Sequence, residues 1–194
     1  MLRRWDWMLR GEVTGFDAAR AHPGTYADLV DLAFDQALVT GVVVPLDEVH
    51  LGVAWSRFED CTFRQTSRRL TSGGAAAQGC FGTRPSLYRR CTFSGVQFGL
   101  PGRFSLGSAT FEDCVFDRCG WRSAFTYEAD LVRCTFRGRM TSGAFGGTAP
   151  DSGRVNRIED NDFSGATISG FGWRFDFPVS RQTWPTGFVP VQDM

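Results

Sequence analysis

Residues 109–121 read Ala109-Thr-Phe111-Glu-Asp-Cys114-Val-Phe116-Asp-Arg-Cys119-Gly-Trp121. A small residue stands two places before each large apolar one, and the pair recurs every five residues. That period matches neither an amphipathic helix at 3.6 nor a half-buried strand at 2. It suits a chain that turns a corner every five residues and sends one small and one large side chain inward between corners.

Toward the N-terminus the same register gives Ser56/Phe58 and Cys61/Phe63, then Ser86/Tyr88, Cys91/Phe93 and Val96/Phe98. Toward the C-terminus it continues as Ala129/Leu131, Cys134/Phe136, Asn156/Ile158, Asn161/Phe163 and Ala166/Ile168. The Cys/Asn positions at 61, 91, 114, 134 and 161 are 30, 23, 20 and 27 residues apart. The shortest interval reads as a bare repeat and the longer ones as repeats with insertions. Self-similarity of this kind marks a stacked solenoid, because one repeat alone cannot bury its inward face.

From about residue 51 to 175 the chain resembles the pentapeptide-repeat family, most closely at Asn161-Asp-Phe-Ser-Gly-Ala166-Thr-Ile-Ser-Gly170. The resemblance implies an all-β fold, a right-handed quadrilateral parallel β-helix with four five-residue faces per coil. The Cys114 to Cys134 interval matches one such coil. About five coils are expected over residues 51–177, preceded by an N-terminal segment, 1–50, and followed by a tail, 178–194. Coils stack about 4.8 Å apart. Phe63, Phe93, Phe116, Phe136 and Phe163 should therefore form one column, with Cys61, Cys91, Cys114, Cys134 and Asn161 beside it. A larger three-sided β-helix tolerates the long intervals but does not explain the pentads.

The open ends of a stack need covers. Tyr26, Leu29, Val30, Ala33, Ala37 and Leu38 fall at helical spacing behind a Thr25/Asp28 capping box, which predicts a capping helix near 25–38. At the other end Phe171, Trp173, Phe175 and Phe177 alternate with small or charged residues. They read as a closing plug or as a homodimer interface, the plug being favoured because exposed aromatics invite aggregation.

Chemistry is sparse. Five of the six cysteines occupy the small position of a pentad, which is a packing role. C-x₂-C metal spacing is absent, and a 4.8 Å stack is wide for a relaxed disulfide. His22 and His50 stand outside the repeats without a nucleophile pattern. No cofactor or metal is expected. Glu59-Asp60, Glu112-Asp113 and Glu159-Asp160 resemble catalytic pairs, but Arg89-Arg90 and Val132-Arg133 take the equivalent places between them, which predicts an outward salt-bridge ladder. Arg68, Arg69, Arg84, Arg139 and Arg154 fall in Gly/Ser-rich stretches at 66–85 and 139–154, read as loops thrown out from the coils. Such loops commonly carry binding.

The 21 basic and 21 acidic residues cancel, which argues against direct nucleic-acid binding. Every basic residue is arginine, as in GC-rich bacterial genomes. The segment MLRRWDWMLRGE is too charged for the apolar part of a secretory signal, and no apolar run is long enough to cross a bilayer. A cytoplasmic protein is expected. The functional expectation is a non-enzymatic module that binds a protein partner through its loops. The resemblance implies an alternative, protection of a DNA topoisomerase by DNA mimicry or drug self-resistance, although such mimics are strongly acidic. A carbohydrate-active β-helix enzyme is the third.

Overall fold

The computed structural model describes residues 7–14, 30–47, 49–66, 77–99 and 104–191. Among them the chain is all-β, with one 3-10 turn at Val179–Arg181 and no α-helix. Every pairing between named strands is parallel, and strands within the stack meet one partner from the coil before and another from the coil after. Phe116, for example, lies between Phe93 and Phe136. That connectivity is a parallel β-helix.

The pairings define four faces. Face one carries Val49–Ala54, Gln78–Cys80 and Phe104–Ser105, and resumes as a separate sheet of Phe125–Thr126, Ala144–Gly146 and Gly172–Arg174. Face two runs through Arg57–Glu59, Leu87–Arg89, Thr110–Glu112, Asp130–Val132 and Ile158–Glu159. Face three stacks Val43–Pro45, Thr62–Arg64, Thr92–Ser94 and the first residues of Val115–Arg122 and Thr135–Thr141. Face four holds Gln97–Gly99, the later residues of those two long strands, and Ala166–Ser169.

Inside, the rings lie flat upon one another. Phe63, Phe93, Phe116, Phe136 and Phe163 stack with centroids 5.0, 4.8, 4.8 and 4.5 Å apart. Phe58, Tyr88 and Phe111 form a second stack at 4.7 and 4.8 Å. The coil repeat forces this spacing, and aromatic pairs add stabilisation beyond their buried area. Corners between faces two and three sit in the left-handed region at Asp60, Arg90, Asp113, Arg133 and Asp160, with φ between 51° and 55°. Non-glycine residues pay for that conformation, and the packed columns hold it.

Residues 30–38 are not a capping helix. Val30–Thr40 is a strand that pairs in parallel with Trp7–Val13 on one side and with Val49–Ala54 and Arg57–Glu59 on the other. Leu32, Phe34, Ala37 and Val39, all buried in the core, are two pentads, and Val42 and Val44 make a third. The helical spacing was a coincidence with this 2-3-2-3 pattern, broken at Gln36, whose φ is 53°. The rest of the expected helix, 25–29, lies outside the described residues. Coils therefore begin before residue 51.

The tail is also part of the stack. Thr183 bridges Asp162, so Gln182 and Trp184 take the next small and large positions. Trp184 stacks on Phe163 at 5.0 Å. Of the aromatic strip, Phe171, Trp173 and Phe177 are buried in this chain's own core and Phe175 is exposed. The strip plugs the coil and leaves a single ring for any second copy.

Candidate functional site

The cysteine column is bound to the backbone of the coil before it. Sγ of Cys61, Cys91, Cys114 and Cys134 donates to the carbonyls of Val39, Phe58, Tyr88 and Phe111 at 3.3–3.5 Å. Asn161 Nδ2 makes the equivalent bond to Leu131 at 2.9 Å. All six cysteines are free, five are buried and Cys80 is half-buried. Burial pushes the Cys119 thiol up to about 12 and holds Cys114 well above the ordinary thiol value. Cys114 and Cys119 are therefore poor nucleophiles, since the thiolate is the reactive form. Among the described residues no group of His, Cys, Asp and Glu is placed to hold a metal ion. His50 is half-buried; His22 lies outside the described residues.

Outward on face two and its corner, charge alternates from coil to coil. Arg90 grips both carboxylate oxygens of Asp60 at 2.8 Å, and Arg133 grips those of Asp113 at 2.7 and 2.8 Å. Arg89 donates to Glu112 at 2.7 and 3.1 Å, and Arg157 reaches the other oxygen at 3.3 Å. The arginine hydrogen bonds hold Asp60, Glu112 and Asp113 below the usual carboxylate range. Glu59-Asp60 and Glu112-Asp113 thus belong to a repeated ladder, while Glu159 meets Arg157 of its own coil at 3.9 Å.

Face four is different. Gln97, Arg118, Gly120, Arg122, Arg139 and Thr141 line a groove of about 600 Å³, with Cys119 and Trp121 beneath, and no carboxylate is among the lining residues. Arg118 is tied to Asp117 at 2.9 Å and Ser94 at 3.2 Å. Arg122 and Arg139 are exposed. Neither is ion-paired to another described residue, in contrast with the arginines of the ladder.

The five arginines singled out in the sequence scatter. Arg68 and Arg69 lie outside the described residues. Arg84 is exposed near the face-one corner. Arg139 is not in a loop: Thr135–Thr141 and Ala144–Gly146 are strands. The pentad pattern is hidden there because the coil is one residue short at Gly138, so that Met140 and Phe145 become the inward residues. A Cβ at Gly138 would stand 2.2 Å from the Cys119 carbonyl oxygen. Arg154 does sit in an excursion, but it is spent inside the molecule. Its guanidinium donates to both oxygens of Asp130 at 2.6 Å, to the Glu128 carbonyl at 2.9 Å and to Asn156 Oδ1 at 2.6 Å. Sequence reading missed Arg122, whose position beside Arg139 exists only once the coils are stacked.

The fold is thus a parallel β-helix with pentapeptide-like repeats. No family model matches the chain, and no curated protein matches it. Among solved structures it is similar to QnrB1, described as a plasmid-mediated fluoroquinolone resistance protein. A trypsin-treated form is 14% identical, covering 86% of this chain and 90% of that one at a TM-score of 0.24. The full-length form is 10% identical, covering 92% and 90% at a TM-score of 0.25. At those scores the fold assignment rests on this chain's own pairing and register. No helix among the described residues is long and apolar enough to cross a membrane.

Proposed function

We propose that this chain is a non-enzymatic protein-binding module, a stiff prism that recognises its partner by surface and shape. The observation that carries the reading is the groove on face four. Elsewhere on the ladder acids and arginines satisfy one another, while here two guanidiniums stand open above a floor without a carboxylate. Open arginines at a concave site are the residues an interface uses as anchors. Six free thiols fit a reducing compartment, so the bacterial cytoplasm is the proposed setting.

Topoisomerase protection by DNA mimicry needs a continuous acidic stripe. The corner column instead alternates Asp60, Arg90, Asp113 and Arg133, each acid held by an arginine, which favours the first reading. The test is affinity capture with the whole chain, identification of the partner, and reconstitution from purified components. A gyrase supercoiling assay with and without a quinolone runs beside it. A stoichiometric complex with a defined protein supports the proposal. Lytic activity on polysaccharides, with no reconstituted complex, overturns it, and rescue of supercoiling reassigns the chain to the topoisomerase class.

A further inference from the structure

The groove has a spacing as well as a charge. Gly120 is paired with Arg139, and Arg122 with Thr141. Arg122 and Arg139 are therefore diagonal neighbours across one parallel pair, about 7–8 Å apart at their bases. Alternate side chains on an extended strand lie about 6.7 Å apart on the same side. Two carboxylates at positions i and i+2 of an extended segment would meet one guanidinium each, and arginine binds carboxylate through two parallel hydrogen bonds.

The floor is shaped for such a segment. Gly120 lies between the arginines and Gln97, and a Cβ there would stand 2.2 Å from Gln97 Oε1. Gln97 is itself fixed, its amide nitrogen donating to the Gly95 carbonyl at 2.8 Å and its backbone N–H to Gln65 Oε1 at 3.0 Å. Arg118, held by Asp117 and Ser94, walls one side. Thr141 supplies a hydroxyl at the other end.

We propose that the face-four groove holds an extended acidic segment of the protein partner, with Glu or Asp at i and i+2 paired to Arg122 and Arg139. The inference rests on the protein-binding reading and names the ligand chemistry of that site. A nucleic-acid strand fits less well, because the groove offers two open guanidiniums, whereas strand binding rests on neutralising many phosphates.

Fluorescence anisotropy with the whole chain and labelled peptides tests it. The probes carry Glu-Thr-Glu, Glu-Glu-Thr or Gln-Thr-Gln at their centre, and a thymidine oligonucleotide serves as the competing class. The Glu-Thr-Glu peptide should bind most tightly. Affinity should fall about tenfold in Arg122→Gln/Arg139→Gln and fall again with added salt. Arg64→Glu, an exposed change on face three, controls for net charge and should leave affinity unchanged. Equal binding of Gln-Thr-Gln, no loss in the double variant, or tighter binding of the oligonucleotide would overturn the proposal. Capture of the reconstituted partner by the double variant at full strength would remove the groove assignment and leave the protein-binding reading standing. Failure of the wild type to form any complex would remove both.

Discussion

Asn161 Oδ1 accepts the backbone N–H of Cys134 at 2.9 Å across the step between two coils. The same side chain donates to the Leu131 carbonyl and to Gln182 Oε1, at 2.9 and 3.0 Å. One fully buried amide therefore ties three successive levels of the solenoid, and it takes the place that cysteine holds in the four coils before it.

Replacing Asn161 by Ala strands a buried carbonyl and a buried N–H, each costing about 1–3 kcal/mol. A loss of about 2–4 kcal/mol is expected from urea denaturation, read as a shift of midpoint at constant slope. Asn161→Cys should cost less than Asn161→Ala, because a thiol restores the bond to Leu131. Equal losses would show that the column positions are not equivalent.

Trp184 closes the C-terminal end by stacking on Phe163 and donating its indole N–H to the Val179 carbonyl at 2.9 Å. Trp184→Ala should cost about 2 kcal/mol and uncover Phe163. Calorimetry with and without a dye that binds exposed apolar surface reads both effects. An unchanged melting temperature would mean that residues 178–191 do not cap the coil.

The ladder gives a prediction with a sign in salt. Arg90→Glu sets a third acid against Glu59 and Asp60, so stability should fall more than in Arg181→Glu, and added salt should shrink the difference. Acid should act on the wild type the same way. Asp60, Glu112 and Asp113 titrate below their unfolded values, so the stability they lend is present above about pH 4 and is lost as pH falls through their lowered values. A salt-insensitive Arg90→Glu would break the ladder.

The thiols act at the alkaline end. Below about pH 8.5 the Cys119 thiol is neutral in the folded chain, as a cysteine is in the unfolded one. Above it the unfolded chain ionises while Cys119 stays protonated up to about 12. Each such thiol should therefore remove about 1.4 kcal/mol of stability per pH unit. Denaturant midpoints at pH 8 and 10 measure the slope, and Cys119→Ala should flatten it by one thiol's share. A slope unchanged in Cys119→Ala would show that this thiol ionises in the folded chain.

How much of this was legible beforehand follows from what each feature depends on. The Phe and Cys/Asn columns depend on local spacing, and residues 109–121 display it directly. Leu32, Phe34, Ala37 and Val39 carry the same spacing, but Ala33, Leu38 and their neighbours fill the gaps and imitate a helix. Gln182 and Trp184 were hidden because glutamine is an uncommon small-position residue and the prolines around it suggest a tail. Arg122 and Arg139 meet through a stacking register that changes by one residue at Gly138, and no five-residue pattern reports that. Arg154 looked free because its partner, Asp130, belongs to the coil before.

The most direct measurement of the central claim is a backbone amide NMR titration of the whole chain with the Glu-Thr-Glu peptide. Shifts should be largest at Gln97, Gly120, Arg122, Arg139 and Thr141, and should disappear in Arg122→Gln/Arg139→Gln. Shifts centred on residues 77–86 or on the face-two ladder, or an unperturbed spectrum at saturating peptide, would contradict the account.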